Sequence, residues 1–217
     1  MARKRGRWIV VAAVVVLVVW WAGTRDEQRP DTNGHGGAAS ELGSAEGGAN
    51  NQDDELVRFA RPVVEHATAA GINPRLLMAV LYNESYKPHD PALQRAWQRI
   101  DPDAAFGIAN MHEAAFNDTK EGREFAERDW HELPDDPVLA IQAAAWHLHD
   151  LDAQLPAELP GDYSRDDLLA MGYNAGAGNM AEFARGVTPG SQAQSYVDRL
   201  HDNWDKAGVA IAGQGSG

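Results

Sequence analysis

The sequence contains no cysteine among its 217 residues. This absence excludes a disulfide framework, a thiolate metal site and an acylated cysteine. Histidines are present, but their spacing does not indicate a metal site. No second histidine follows His112 four residues later, and His147 and His149 point to different sides of a helix. The sequence therefore predicts neither a metal nor a cofactor.

Basic residues are scarce after the N-terminus. The net charge is −13, and because residues 1–24 contribute +4, the remaining residues carry −17. A chain this acidic is poorly suited to bind a phosphate backbone, whose recognition depends on lysine and arginine. The composition therefore argues against nucleic acid as a partner.

Long apolar runs are also rare, and the most prominent one occupies residues 8–21. A basic cluster in residues 1–7 precedes it, which predicts a cytoplasmic N-terminus with the rest of the chain exported. Tryptophans at both ends of the run are typical of membrane interfaces, and no good small-x-small cleavage site follows. We therefore expect residues 8–23 to be an uncleaved anchor that crosses the cell membrane once and places the following domain on the outer face. The alternative is a cleaved signal peptide, which would release a secreted protein.

Residues 24–52 contain few apolar side chains other than alanine and are rich in Gly, Ser, Asn, Glu and Gln. Such a segment cannot bury enough surface to fold, so we expect a flexible linker. Its r.m.s. reach is on the order of 30 Å, from about 5–6 Å times the square root of its length. The folded domain is predicted to span residues 53–207. Residues 208–217 are predicted to form a disordered tail.

No convincing alternation of apolar and polar residues, the pattern of a half-buried strand, occurs in residues 53–207. Helical periodicity is present instead and predicts an all-α domain. One of the expected helices carries Leu93, Trp97 and Ile100 at positions i, i+4 and i+7. The expected helices begin at Asp53 or Asp54, at Asn73, at Asp90, at Glu113 (to Phe116), near Arg123 (to Trp130), at Asp136, at Ser164 and at Gly190 (to Lys206).

The helix that begins at Asn73 carries the most informative residue. Asn73 is a good N-cap and Pro74 suits the first helical position. At helical spacing, Glu84 lies on the same face as an apolar stripe formed by Leu77, Val80 and Leu81. Burial would raise the pKa of the Glu84 carboxyl from its usual value of about 4.3, which would leave a proton available for general acid catalysis. The alternative is an ordinary glutamate that extends into water or forms a salt bridge.

Two loops contain residues that could line a site. In residues 106–111, Gly107 would allow the backbone to approach a ligand, and Asn110 could hydrogen-bond an amide or hydroxyl. In residues 173–178, Tyr173 and Asn174 could form a hydrogen-bonding wall, with two glycines leaving room for a sugar. Taken alone, each segment is more often a simple turn or helix cap.

Together these segments resemble the soluble lytic transglycosylase domain family over about residues 55–205. The resemblance rests on Glu84-Ser85, on residues 107–111, on Asp136-Pro137 with its alanine-rich helix, on the Tyr-Asn-Ala-Gly motif at 173–176, and on Tyr196-Val197. It implies a lysozyme-like all-α fold in which Glu84 is the catalytic acid and base. It also implies a set of substrate-binding residues: Ser85, Gly107, Asn110, Met111, Tyr173, Asn174 and Tyr196.

The resemblance further implies the reaction. The family's substrate is the glycan strand of peptidoglycan, and the bond cleaved is the β-1,4 link between N-acetylmuramic acid and N-acetylglucosamine. A single carboxylate is expected to release a 1,6-anhydro product during cell-wall remodelling. A hydrolytic muramidase and a catalytically inactive glycan-binding module are the alternatives. This chain departs from the family pattern at Ala109 and Asn110, where methionine and glutamine are usual, and in a longer segment between Ser85 and Gly107.

Overall fold

The structure, a computed structural model, describes residues 55–85, 90–101, 104–159 and 161–213. The predicted basic segment (1–7), anchor (8–23) and linker (24–52) lie outside these residues, as do Asp53 and Asp54. None of the helices in the described ranges combines the length and apolar character needed to span a bilayer.

The described chain is mostly helical, as the sequence predicts. A short helical turn at residues 55–57 precedes the first long helix. The helices are α1 (Ala60–Ala70), α2 (Pro74–Glu84), α3 (Pro91–Gln98), α4 (Glu113–Lys120), α5 (Pro137–Asp152), α6 (Arg165–Ala175), α7 (Ala177–Ala184) and α8 (Ser191–Ala212). A 3₁₀ turn, Trp130–Glu132, lies between α4 and α5.

The predicted N-caps are confirmed at several of these helices. The Asn73 side chain accepts a hydrogen bond from the backbone N–H of Arg75 at 3.0 Å, and Pro74 follows it at the first position of α2. Asp90 and Asp136 cap α3 and α5 in the same way. Ser164 forms a capping box with Asp167 at the start of α6. These side chains satisfy N–H groups that have no partner inside their own helix.

Helix α2 lies at the centre of the core. Each of its residues from Leu76 to Glu84 is buried, and it packs most extensively against α8. Helix α1 packs against α5, and α6 contacts both α7 and α8. The carboxyl end of α2 is therefore enclosed by other helices, although its last residue, Glu84, is acidic.

A hairpin with strands of two residues each interrupts the helices, and the sequence does not predict it. Ala105–Phe106 (β1) pairs antiparallel with Met111–His112 (β2). The indole Nε1 of Trp130 donates to the Met111 carbonyl at 2.9 Å, and the Phe106 and Trp130 rings meet edge to face at 5.1 Å between centroids. Strands this short show no detectable alternation in the sequence, so tertiary contacts define them.

Two predictions between residues 113 and 130 are wrong. The helix expected over 123–130 is a series of turns followed by the 3₁₀ segment. Gly122 has a left-handed φ of +70° just after α4, and Asp129 caps the 3₁₀ turn rather than continuing a helix. Helix α4 is also longer than the predicted 113–116.

The tail was predicted to begin at residue 208, but α8 continues to Ala212. Ala207 is fully buried, and Ala210 and Ile211 pack against the core. Gly208 lies so close to the Arg75 guanidinium that a Cβ would be 3.0 Å from its Nε atom. These contacts extend the helix beyond the region where the sequence pattern weakens. Residues 214–217 lie outside the described residues.

Helix α3 forms where the periodicity predicts it, but its apolar stripe does not face the core. Leu93, Trp97 and Ile100 are 69%, 53% and 72% exposed, whereas Gln98 is only 7% exposed. The helix therefore presents its polar glutamines to the protein and its large apolar side chains to solvent.

The hairpin generates a stability prediction at Gly107. This residue has a φ of +74°, and a Cβ there would lie 3.0 Å from the Leu133 carbonyl oxygen and 3.2 Å from the Ala140 Cβ. Gly122 is the matched control, because its φ is +70° and a Cβ would meet nothing within 4 Å. Gly122→Ala should cost about 1–2 kcal/mol from backbone strain alone.

We expect Gly107→Ala to cost about 1–3 kcal/mol more than Gly122→Ala, because it adds overpacking to the same strain. Chemical denaturation of both variants measures the difference. Equal losses of unfolding free energy would contradict the close packing around Gly107.

Candidate active site

The core places one carboxylate where the sequence predicts it. Glu84 is the last residue of α2 and is 5% exposed. Its Oε1 atom accepts a hydrogen bond from the Tyr196 hydroxyl at 2.8 Å, and its Oε2 atom accepts one from the Asn110 amide at 2.9 Å. Residues from α2, α8 and the hairpin turn thus meet at one carboxyl group. Neutral donors to both oxygens offset part of the cost of burying it.

The turn that carries Asn110 has a defined backbone geometry. Asn110 has a φ of +49°, a left-handed conformation that asparagine tolerates better than most residues. Its N–H donates to the Gly107 carbonyl at 3.0 Å, which closes the turn. The Asn110 amide donates to Glu84 in the structure, and the expectation that its side chain also binds a ligand stays a prediction.

The role expected of Gly107, close approach of the backbone to a ligand, does not match its surroundings. The side of Gly107 that would carry a Cβ faces Leu133 and Ala140 in the core. Its N–H donates to the Gln94 side-chain oxygen at 3.0 Å. The close approach made possible by this glycine is therefore to the protein itself.

Tyr173 supports the same turn from α6. Its hydroxyl donates to the Ala109 carbonyl at 2.7 Å, next to Asn110. The ring lies edge to face with His147 at 5.5 Å between centroids. Tyr173 and Gln94 therefore both bind main-chain atoms of the turn that positions Asn110 against Glu84.

Both tyrosines of the site are expected to keep their protons over a wide pH range. Burial, and secondly the negative charge of Glu84, raise the pKa of Tyr173 well above its usual value. The same two causes raise the pKa of Tyr196, in the same order. Burial also lowers the pKa of His147, which favours the neutral imidazole beside Tyr173.

The remaining predicted site residues are Ser85, Met111 and Asn174. The Ser85 hydroxyl donates to the Tyr82 carbonyl at 2.8 Å and so caps the end of α2. The Met111 side chain is 3% exposed within the core. Asn174 is half-buried, and its Oδ1 atom is buried without a hydrogen-bond partner among the described residues.

Sequence reasoning missed a pair of asparagines behind the carboxylate. Asn83 is 2% exposed; its amide donates to the Tyr196 carbonyl at 2.9 Å, and its oxygen accepts from the Asn203 amide at 3.0 Å. These bonds fix α2 against α8 one residue before Glu84. The signal in the sequence was a polar residue within an otherwise buried helical run, which is unusual unless it is hydrogen-bonded.

Metal ligands are a separate question. Within the described ranges, no group of three or more His, Cys, Asp or Glu side chains is arranged to hold a metal ion. The prediction that the protein needs no cofactor stays a prediction.

Asn83 generates a test of the contact between α2 and α8. Asn83→Ala removes both hydrogen bonds and leaves the Asn203 amide without this partner, so we expect a loss of about 1–3 kcal/mol. Asn179→Ala is the matched control, because Asn179 also donates to a helix carbonyl, at 2.7 Å, but is exposed. Thermal or chemical unfolding measures both. A loss at Asn83 no larger than at Asn179 would contradict its positioning role.

The two tyrosines generate a pH prediction. The folded state holds their protons more tightly than the unfolded chain, where the pKa is about 10. The unfolding free energy should therefore be unaffected by these groups below about pH 10 and should fall as pH rises above it. Tyr173→Phe removes one of the two groups, so its decline between about pH 10 and 11 should be shallower than that of the wild type. Parallel curves would contradict the assignment.

Comparison with known proteins agrees with this geometry. A family model described as Transglycosylase SLT domain matches residues 61–193, which is more than half of the chain and includes α2, the hairpin and α6. A comparison with individual curated proteins gives no significant match. The extent of the family match shows that this chain belongs to the transglycosylase SLT domain family.

Proposed function

We propose that the protein cleaves the β-1,4 bond between N-acetylmuramic acid and N-acetylglucosamine in peptidoglycan, and that Glu84 is its only catalytic carboxylate. Family membership implies peptidoglycan lytic transglycosylase activity in general. The observation that carries the finer proposal is the buried Glu84 carboxyl at the end of α2, bonded by Tyr196 and Asn110.

In the first step, Glu84 donates a proton to the glycosidic oxygen as the bond from that oxygen to C1 of N-acetylmuramic acid breaks. The substrate's own N-acetyl group supports the positive charge that develops at C1. The released N-acetylglucosamine keeps the proton as a hydroxyl, and Glu84 becomes a carboxylate.

In the second step, Glu84 accepts the proton of the C6 hydroxyl while that oxygen bonds to C1. The product is a 1,6-anhydro ring, no water is consumed, and Glu84 regains its proton. One residue can serve as acid and then base when both of its protonation states are accessible.

The surroundings of Glu84 support both states. Burial disfavours an unpartnered charge, which favours the protonated acid before the first step. The Tyr196 hydroxyl and the Asn110 amide can each donate to the carboxylate formed by that step. The raised pKa expected for Glu84 from the sequence stays a prediction.

The contacts of Asp90 favour a single catalytic carboxylate. A paired mechanism needs a second carboxyl within about 5–9.5 Å, either as a nucleophile or to activate water. Asp90 is close to Glu84 in sequence, but its side chain is engaged as the cap of α3, where it accepts from the N–H groups of Ala92 and Leu93 at 2.8 and 3.1 Å. We therefore favour the anhydro product over hydrolysis.

The remaining site residues divide by their contacts. We propose that Tyr173 and Asn174 form the wall that meets the saccharide, because both residues are partly exposed and Tyr173 contacts the turn that carries Asn110. Ser85, Gly107 and Met111 act indirectly, since their described contacts cap α2 or pack the hairpin.

We also propose that the enzyme acts in cell-wall remodelling while tethered to the cell membrane. The support is the sequence: an apolar run preceded by basic residues, and a linker over residues 24–52 whose reach is on the order of 30 Å. Such a tether would hold the domain beside the innermost glycan of the wall.

Product analysis tests the reaction. Wild-type protein digesting purified sacculi should release fragments lighter by one water than hydrolysed fragments of the same composition. Glu84→Gln preserves the shape of the side chain but removes the acid, so its rate should fall by about 10²–10⁴-fold. Glu158→Gln, a change at an exposed position, is the matched control and should retain the wild-type rate.

Three results would contradict parts of this proposal. Undiminished cleavage by Glu84→Gln would exclude Glu84 as the acid. Reducing-end products from the wild type would indicate a muramidase. Glycan binding without any cleavage would indicate an inactive binding module.

A further inference from the structure

The exposed stripe on α3 has no evident role in the chemistry proposed above. Seven large hydrophobic side chains are exposed among the described residues, and three of them, Leu93, Trp97 and Ile100, come from α3 and the two residues after it. The stripe lies between the end of α2 and the hairpin turn.

The stripe is exposed because other contacts fix the orientation of α3. Asp90 caps the helix, Gln94 binds the Gly107 N–H, and Arg95 forms a salt bridge with Asp135. Gln98 is turned inward at 7% exposure. Rotating the stripe into the core would break the Gln94 and Arg95 contacts and expose the glutamines.

A second protein is a poor occupant for this face. Helix α3 has eight residues and is about 12 Å long. A stable protein interface buries about 800 Å² on each partner, far more than such a helix offers. Two copies of this chain would also repel each other at long range, since the net charge is −13.

A glycan strand is also a poor occupant. Sugar binding needs hydrogen-bonding groups beside an aromatic ring, but the face between Leu93 and Ile100 adds only Ala96 to Trp97. The glutamines of α3 point toward the protein.

A lipid surface matches the composition of α3. Interfacial helices place tryptophan and aliphatic side chains on one face, with arginines alongside that reach the headgroups. Arg95 and Arg99 lie on the polar side of α3. Acidic residues accompany both arginines: Asp135 forms an ion pair with Arg95, and Asp90 and Asp101 are close in the sequence. The attraction of α3 to lipid therefore comes from its apolar side chains rather than from charge.

We propose that α3 is an interfacial helix that inserts Leu93, Trp97 and Ile100 into the surface of the membrane beside which the domain is held. This inference rests on the membrane tether of the proposed function. Three apolar side chains bind a bilayer weakly in isolation. A short flexible tether raises the effective concentration to the millimolar range, at which weak contact suffices.

Docking through α3 would also orient the active site. The Gln94 side chain connects α3 to the Gly107 N–H, and the same turn brings Asn110 to Glu84. A docked α3 therefore fixes the direction from which a glycan strand reaches the carboxylate, and directs the enzyme toward wall material close to the bilayer.

The absence of cysteine makes a direct test possible. Ile100→Cys and Val209→Cys each introduce a single labelling site, at 72% and 78% exposure, the second on α8 as the matched control. The full chain carrying a polarity-sensitive fluorophore is reconstituted in phosphatidylcholine vesicles containing brominated lipid. The label at 100 should be quenched at least twofold and the label at 209 should not. The contact should persist at about 1 M salt, where charges are screened beyond about 3 Å.

A second substitution tests whether the stripe itself, rather than the attached fluorophore, contacts the lipid. Trp97→Ser in the Ile100→Cys chain should weaken the contact about tenfold, because a tryptophan contributes most of the apolar area. Val187→Ser, at an apolar position of 47% exposure outside α3, should leave it unchanged.

Each other outcome would overturn the inference. A label at 100 that stays in water, or equal quenching at 209, would exclude insertion through α3. Shielding only when peptidoglycan is added would assign the stripe to the glycan, and disulfide-linked pairs formed by the unlabelled Ile100→Cys chain would assign it to a second copy.

Failure of the tether is detected separately. If alkaline carbonate removes the chain from the vesicles, residues 8–23 do not anchor it. The label at 100 is then read with added phosphatidylcholine vesicles at millimolar lipid, and no quenching there would overturn the α3 proposal. Neither readout depends on catalysis, so loss of the enzymatic proposal would leave this result intact.

Discussion

The enclosure of one carboxyl group at the end of a buried helix is the constraint on which the rest of the structure depends. Burying Glu84 is unfavourable unless its oxygens are hydrogen-bonded. The required donors come from distant parts of the chain, Tyr196 on α8 and Asn110 on the hairpin turn. The packing of α2 on α8, the hairpin and the contacts of Tyr173 and Gln94 all serve to hold these donors in place.

The sequence predicted the parts of this arrangement that are local. Helix starts at Asn73, Asp90, Asp136 and Ser164 follow from capping side chains, and the burial of Glu84 follows from the periodicity of its own helix. The family resemblance named Tyr196 and Asn110 without showing that both bind the same carboxyl group.

What the sequence did not predict depends on non-local contacts. The hairpin is too short to show alternation, and the end of α8 depends on Ala207 and on the packing of Gly208 against Arg75. The orientation of α3 depends on Gln94 and Arg95 finding partners elsewhere in the chain. In that helix the glutamines face the protein, against the usual rule that the apolar face is buried, and Gln94 and Arg95 hold this orientation through one hydrogen bond and one ion pair.

The way in which Gln94 and Tyr173 support the hairpin turn has a consequence for which substitutions the turn tolerates. Gln94 holds the N–H of Gly107 and Tyr173 holds the carbonyl of Ala109, so both contacts are to the peptide backbone. Peptide groups are the same whichever side chains they carry, so neither hydrogen bond uses a side chain of the turn. The Ala109 side chain is fully buried, so the packing around it, and not these two hydrogen bonds, limits which residue can stand at 109.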